Sequence, residues 1–385
     1  MKITDWYQAN FEDHLSGRYI TLDHIDPLLE KYRHHFKISI AGISEQKKSI
    51  PLIKIGQGSR VVLAWSQMHG NESTTTKAIF DFLKFLVQKE VYREELETFL
   101  SSYTFYVLPM LNPDGAAAYT RENANGVDLN RDAQELSQAE SVCLREVFDE
   151  LQPSLCLNLH DQRSIYGLDN GNPATVSFLS PAADGALTHT ESRKTAMSLI
   201  VKMNNFLQNF LAGQVGRYDD SYNPACIGDT FQSAGVPTIL FEAGHYKMDY
   251  QREKTREFIF YAFLALFDIV DCRDKKPDYE EYFKIPENRK NYNDFILRNV
   301  SFPKASRPLD LAIQYSEALR DGSIEFEAII DEIGQLDSKF GHKEQNAHSN
   351  EILTKTQKKL AVGVKVYKIF DKNQENRIYF QAEVF

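Results

Sequence analysis

Cysteine is scarce and widely spaced in this sequence. Only four cysteines occur among 385 residues. They lie at Cys143, Cys156, Cys226 and Cys272. No two of them have the paired spacing of a zinc knuckle or of a disulfide framework. We therefore expect reduced thiols, as in a cytoplasmic protein, and no structural zinc site built from cysteines.

The sequence also lacks a basic excess and a long apolar run. Its formal net charge is −10 at pH 7, which argues against a nucleic-acid-binding face. No apolar stretch reaches the 18 residues that a membrane helix requires. Residues 1–7 contain neither an apolar core nor a small-residue cleavage site of a secretory signal. These absences predict a cytoplasmic protein without nucleic-acid or membrane partners, and they leave its oligomeric state open.

Apolar runs of strand character alternate with helical segments up to about residue 270. This alternation predicts an α/β fold with a mixed, mostly parallel twisted sheet flanked by helices. A charged run at 271–278 predicts a boundary between a larger domain at 1–272 and a small β-rich C-terminal domain at 273–385, whose role is unknown. In that second domain Asp321-Gly322 predicts a hairpin turn, and a helix is expected near 288–297.

His69 and Glu72 lie three residues apart in a predicted turn between a strand and a helix. At this spacing an imidazole and a carboxylate can converge on one metal ion, although the pattern alone is weak. The same chain shows why context matters. His348 and Glu351 have identical spacing but adjoin the polar tract 341–347, for which we predict a solvated loop.

Polar residues follow several predicted strands at the point where each strand ends. Asn112, His160 and Glu242 do so, as does His69. Ligands bind at the carboxyl ends of strands in such sheets, so we expect these side chains to line one crevice. With Glu72, the two histidines form the ligand set of a catalytic zinc, which keeps one position open for water. Glu242 is the candidate base that takes the proton of this water.

With these motifs in this order, the sequence resembles the zinc carboxypeptidases of the carboxypeptidase A type. The shared features span residues 60–245 and are His69-x-x-Glu72, Asn112-Pro113-Asp114-Gly115, Asp128-Leu129-Asn130-Arg131, His160 and Glu242. The resemblance implies a zinc-dependent metallocarboxypeptidase that hydrolyses the C-terminal amide bond of peptides. It implies one zinc ion per chain, bound by His69, Glu72 and His160, with Glu242 as the general base. Residues 1–272 would then be the catalytic domain.

The resemblance also assigns roles to residues in the 121–131 segment. Arg121 matches the arginine that polarises the scissile carbonyl and stabilises the oxyanion. Asn130 and Arg131 match the pair that binds the free carboxylate of the substrate, for which a guanidinium fork is geometrically suited. Asp128 matches the carboxylate that hydrogen-bonds a metal-bound histidine and fixes its tautomer.

Two further assignments leave alternatives open. Tyr222 matches the tyrosine that closes over the substrate, with Tyr218 as the second candidate. The residue that sets side-chain specificity depends on how the segment is counted. Counting from Tyr222 gives Asp229 and a basic preference, whereas counting back from Glu242 gives Ile227 and an apolar one.

The sequence departs from the family pattern at two positions beside the predicted zinc ligands and base. Asp161 follows His160 and could recruit a substrate amine or cap the next element. His245 follows Ala243-Gly244 and could contact the substrate. These departures keep a second function open, a zinc-dependent deacylase of N-acyl amino acids that resembles the aspartoacylase and succinylglutamate desuccinylase branch. A third alternative is a non-catalytic zinc-binding relative. In both enzymatic alternatives Arg121, Asn130 and Arg131 favour a substrate with a free carboxylate.

Overall fold

The computed structural model describes residues 2–272, 277–303, 305–354, 360–374 and 376–382. The chain forms two compact units. The first comprises Met1–Gln162 and Ala174–Asn288, and the second comprises Arg163–Pro173 and Arg289–Phe385.

The first unit extends beyond the predicted boundary at residue 272. Tyr282 and Ile285 are buried in its core, and the backbone of Arg217 pairs with Pro286 and Asn288. These contacts explain why the division falls after Asn288. The start of the second predicted domain, residues 273–276, lies outside the described residues.

The described residues of the first unit contain nine α-helices and eight strands. The helices are α1 (Ile3–Asn10), α2 (Leu22–Tyr32), α3 (Thr74–Gln88), α4 (Arg93–Ser102), α5 (Pro113–Ala118), α6 (Ala139–Leu151), α7 (Glu191–Leu207), α8 (Ile227–Ser233) and α9 (Glu253–Leu266). The strands are β1 (Lys37–Ile43), β2 (Ser49–Gly56), β3 (Arg60–Ser66), β4 (Tyr103–Leu108), β5 (Leu155–Asp161), β6 (Val176–Leu179), β7 (Val215–Arg217) and β8 (Thr238–Ala243). No helix among the described residues is long and apolar enough to cross a bilayer.

The eight strands form one mixed sheet in the order β1-β2-β4-β3-β5-β8-β6-β7. The central strands β4, β3, β5 and β8 are parallel, as are β6 and β7. The other three pairings in the sheet are antiparallel. This arrangement confirms the predicted mixed α/β class.

Helices cover both faces of the sheet because its central strands are apolar on both faces. Every residue of β5 is buried. Leu157 and Leu159 face the larger core, to which α3, α7 and α9 contribute, whereas Cys156 faces the smaller core beneath α6 and α8. The leucines of β5 form one apolar face, whereas its other face changes from Cys156 to the polar Asn158 and His160 toward the carboxyl end.

A buried ionic cluster ties the N-terminal helix α1 to α3 and α9. The Arg256 guanidinium binds both carboxylate oxygens of Asp81, at 2.6 and 2.7 Å, and both side chains are fully buried. The same guanidinium donates to the backbone oxygens of Leu15 and Glu12, and the Tyr7 hydroxyl donates to Asp81. The cluster therefore satisfies two buried charges by fork geometry and surrounding donors and acceptors.

The second unit is β-rich, as predicted. Its strands among the described residues are β9 (Tyr292–Val300), β10 (Leu309–Arg320), β11 (Ser323–Gly334), β12 (Phe340–Asn346), β13 (Ile352–Thr354), β14 (Lys368–Asp371) and β15 (Ile378–Gln381). They form a four-stranded sheet, β11-β10-β9-β12, and a three-stranded sheet, β13-β14-β15. The hairpin of β10 and β11 turns at Asp321 and Gly322, both with positive φ, as a two-residue hairpin turn requires.

Two predictions for the second unit are wrong. The helix expected near 288–297 is largely β9, an inner strand whose first six residues are all buried. Burial on both faces removes the alternation by which a strand is recognised. The polar tract 341–347, in which no strand is expected, is mostly β12, an edge strand that leads to a turn at His348 and Ser349. Charged residues on an edge strand discourage pairing with other chains.

Candidate active site

The three predicted zinc ligands converge at the carboxyl ends of β3 and β5. His69 Nδ1 lies 2.9 Å from Glu72 Oε1 and 3.0 Å from His160 Nδ1. His160 Nδ1 lies 2.8 Å from Glu72 Oε2. Burial opposes ionisation of Glu72, but the neighbouring imidazoles hold the pKa of its carboxyl well below the usual range. One atom from each residue thus faces a common point.

The turn that carries His69 is locked by Asn112 and a glycine contact. The Asn112 amide donates to the backbone oxygens of Met68 and Glu122, and its Oδ1 accepts from the Gly115 amide at 2.8 Å. A Cβ on Gly70 would lie 1.9 Å from the Gly115 backbone, so only glycine fits. Asn112 therefore joins the turn that carries His69 to Gly115 and Glu122, on either side of Arg121 in sequence, rather than lining a crevice as a ligand. The sequence alone did not indicate this role.

Strand register brings Glu242 next to His160. The two are direct partners in the parallel pairing of β5 with β8, so their side chains leave the sheet on the same face. The Glu242 carboxylate makes no hydrogen bond with any described residue. Burial, together with the charges of Glu72 and Asp161, raises the pKa of its carboxyl. A carboxylate that has no hydrogen-bond partner and lies beside a candidate metal site can act as a proton acceptor.

Asp128 lies behind His69, as predicted. Its Oδ1 is 3.1 Å from His69 Nε2, and its Oδ2 accepts from Arg121 Nε at 3.0 Å. An acceptor at Nε2 keeps the proton there and leaves Nδ1 free to bind a metal. Burial would lower the pKa of the His69 imidazole, but Glu72 and Asp128 outweigh burial and raise it. Arg121 Nη1 lies 3.1 Å from His69 Nδ1.

The donor set of this site fits zinc. The ligand atoms of His69, Glu72 and His160 all lie within 4.8 Å of one another, and the three residues are buried. Two imidazole nitrogens 3.0 Å apart cannot both keep facing lone pairs without a proton or a cation between them. Two histidines and one carboxylate form a catalytic rather than a structural zinc set.

The predicted carboxylate-binding pair lies at the start of α8. Asn130 Oδ1 accepts from the Ile227 amide at 3.2 Å. Arg131 is exposed, and its Nη1 donates to its neighbour's backbone oxygen and to Cys226 Sγ at 3.0 Å. The Arg131 guanidinium keeps further donors that could bind a substrate carboxylate in a bidentate fashion.

Comparison with known proteins identifies the family. The sequence model of zinc carboxypeptidases matches residues 21–210, which include the three ligand positions, Arg121, and the 128–131 segment. The comparison therefore supports the zinc carboxypeptidase family for residues 21–210, which are 190 of the 385 residues. The matched region ends before Glu242.

Relatives agree with this family assignment over limited regions. Carboxypeptidase 2 of Trichophyton rubrum is 29% identical over 105 residues, which cover 27% of this chain and 19% of the relative. The chain thus matches about a fifth of that protein's length. A metallo-carboxypeptidase from Burkholderia cenocepacia has a TM-score of 0.52 at 16% identity, covering 65% of this chain and 69% of that one. Carboxypeptidase A from Helicoverpa armigera has a TM-score of 0.50 at 17% identity, covering 69% and 77%. At these identities the structures show a shared fold.

The remaining predicted carboxypeptidase residues lie in or near the segment before α8. The Tyr222 hydroxyl makes no hydrogen bond with any described residue, and Tyr218 is held through its backbone amide by Phe178. Both Asp229 oxygens accept backbone amides, from Ala182 and Asn223, and burial raises the pKa of the Asp229 carboxyl to about 6. Asp229 therefore anchors the segment that carries Tyr222.

The two departures from the carboxypeptidase pattern have structural roles. Asp161 accepts from the Thr74 hydroxyl and amide and so caps the start of α3, a helix much earlier in the chain and not the next element that the sequence suggested. Its backbone amide donates to Glu72 Oε2 at 3.1 Å. The His245 ring packs against Tyr250. Thr74 is a residue that sequence reasoning missed, because its partner lies on a distant strand.

Proposed function

We propose that the chain is a zinc-dependent metallocarboxypeptidase that hydrolyses the C-terminal amide bond of peptides. The observation that carries the proposal is the pairing of His160 with Glu242 in strand register. It places an unpartnered carboxylate beside a site of two imidazoles and one carboxylate. We assign zinc binding to His69, Glu72 and His160.

The chain's own side chains support each step of such a hydrolysis. Zinc in this site would acidify water and polarise the scissile carbonyl. Glu242 takes the proton from the attacking water and delivers it to the leaving amine nitrogen. Arg121, whose side chain is partly exposed beside the ligands, stabilises the charge that develops on the carbonyl oxygen.

Recognition of the substrate's free end falls to Asn130, Arg131 and Tyr222. The guanidinium of Arg131 and the amide of Asn130 hold the carboxylate, which fixes the scissile bond at the zinc ligands. Tyr222 covers the bound residue. A peptide with a free carboxylate is thus the proposed partner, and the wide spacing of unpaired cysteines supports a cytoplasmic location.

The deacylase alternative uses the same zinc chemistry but loses part of its support. Asp161, which could have recruited a substrate amine, is engaged by Thr74. Packing explains the glycine at position 244, because a Cβ there would lie 2.2 Å from the Ala174 backbone oxygen. Neither departure therefore requires a different substrate.

A matched substrate panel tests the proposal. We expect the zinc-loaded protein to release the last residue of a peptide with a free C-terminus and to leave the amidated form of the same peptide intact, because only the former offers a carboxylate to Arg131. Released amino acids are quantified by mass spectrometry. Turnover of N-acetyl amino acids without turnover of peptides would establish the deacylase instead. Equal cleavage of the amidated peptide would contradict carboxylate recognition.

A further inference from the structure

The carboxamide of Asn158 is a buried polar group without a hydrogen-bond partner. Asn158 is 2% exposed, and its Oδ1 has no partner among the described residues. Its amide nitrogen makes no hydrogen bond with them either. Leaving a buried acceptor unsatisfied destabilises a folded protein. Asparagine is therefore a poor choice at this position for folding alone, and a bound ligand could supply the missing partner.

Strand geometry places Asn158 directly below the proposed zinc site. It precedes His160 by two residues on β5, so both side chains leave the same face of the sheet. Its register partner on β8 is Leu240, just as Glu242 is the partner of His160. With about 3.3 Å per residue, Asn158 lies about 6.6 Å further down the strand. Asn158 and Leu240 thus form the next layer beneath the ligand and the base.

The start of α8 closes this layer from the side of the carboxylate-binding pair. A Cβ on Gly228 would lie 3.8 Å from Asn158 Nδ2 and 3.1 Å from the Pro181 ring. The preceding residue, Ile227, donates its amide to Asn130. Asn158 is therefore adjacent to the same turn of helix that holds the proposed carboxylate site.

This placement determines where a substrate side chain would go. A terminal residue with its carboxylate at Asn130 and Arg131 and its scissile carbonyl at the zinc ligands is held at both ends. Its side chain projects between those points, toward Asn158 and Leu240. The polar group of that layer is the Asn158 carboxamide, which has free hydrogen-bonding capacity.

We infer that Asn158 determines side-chain specificity and that the site takes a terminal residue with an uncharged, hydrogen-bond-donating side chain of glutamine type. The inference rests on the proposed carboxypeptidase function. A carboxamide pairs with another carboxamide through one donor and one acceptor on each. The two residues that the sequence suggested are engaged elsewhere. Ile227 packs in the smaller core, and Asp229 binds two backbone amides.

Two peptides that differ only in a C-terminal Gln or Met test this inference, because the two side chains have similar size and only glutamine donates a hydrogen bond. We expect wild-type kcat/KM to be at least about tenfold higher for the Gln peptide, since a site built to bind a polar group rejects the analogue that lacks it. In Asn158→Leu, which keeps the shape but removes the carboxamide, we expect the ratio to fall below one. Zinc content is measured alongside.

The control is Asn205→Leu, the same substitution at an exposed position of α7, which should retain the wild-type ratio. If Asn158→Leu fails to fold, Asn158→Ser replaces it in the test. The ratio of kcat/KM for the Gln peptide to that for the Met peptide should then be lower in Asn158→Ser than in the wild type. An unchanged ratio in the folded variant overturns the inference, as does a wild-type preference for Met. Faster release of Lys than of Gln, abolished by Asp229→Asn, would assign specificity to Asp229 instead. Zinc-loaded protein that hydrolyses neither peptide contradicts the proposed function itself.

Discussion

Replacing Glu242 by glutamine is expected to lower kcat/KM for peptide hydrolysis by at least about a thousandfold while zinc remains bound. General acid–base catalysis contributes about 10²–10⁴-fold, and the amide of glutamine cannot accept the proton of the attacking water. The three ligands do not include Glu242, so metal content should not change. Substrate binding at Arg131 is also untouched, and the loss should appear in kcat rather than in KM.

The control for this substitution is Glu146→Gln, which removes the same charge from an exposed position on α6. It should leave both kinetic constants within twofold of the wild type, as a rough limit for surface changes. Steady-state kinetics and metal analysis of the three proteins decide the matter. If Glu242→Gln retains activity within a few-fold of the wild type, Glu242 is not the base.

Replacing Asp81 by alanine is expected to destabilise the protein by about 3–5 kcal/mol. Breaking a buried pair leaves an uncompensated charge, and this loss exceeds what the pair contributes when intact. Arg256 would keep its backbone acceptors, Leu15 and Glu12, and the part-buried Glu253 carboxylate at 3.0 Å, but would lose both oxygens of its fully buried partner Asp81. Because Tyr7 also donates to Asp81, the packing of α1 should loosen first.

An exposed ion pair supplies the matched control for this prediction. Asp149 binds Arg145 at 2.8 Å on the surface of α6, and exposed pairs of this kind contribute about 0.3–0.5 kcal/mol. The shift in the denaturation midpoint should therefore be several times larger for Asp81→Ala than for Asp149→Ala. Similar shifts in the two variants would show that the buried cluster is not a main source of stability.

The sequence was sufficient to predict that the three candidate metal ligands lie close together, because its pattern follows from the architecture. His160 and Glu242 each end a run of apolar residues, and parallel strands bring such ends to one edge of a sheet. His69 belongs to the same edge through β3. The family's motifs then assigned roles that the distances support, most directly the contact between Asp128 and His69.

The features that the sequence did not reveal depend on distant partners. Asp161 adjoins the candidate zinc ligand His160 in sequence, but its carboxylate binds Thr74, a residue far earlier in the chain. Asn158 looks like an ordinary polar residue in a strand until its neighbours are known to offer it no hydrogen bond. The sequence of β9 does not indicate a strand, because residues that are buried on both faces show no alternation. In each case tertiary packing, which is not local in sequence, decides the outcome.

Metal analysis of the purified chain tests the central claim most directly. After incubation with zinc and removal of the excess, the wild type should hold about one zinc ion per chain, and His160→Ala, which removes a ligand, should hold almost none. His348→Ala, which disrupts the second His-x-x-Glu pattern in a surface turn, should bind as much zinc as the wild type. A wild-type chain that stays free of zinc, or a His160→Ala variant that binds it fully, would contradict the assignment of His69, Glu72 and His160 as a zinc site.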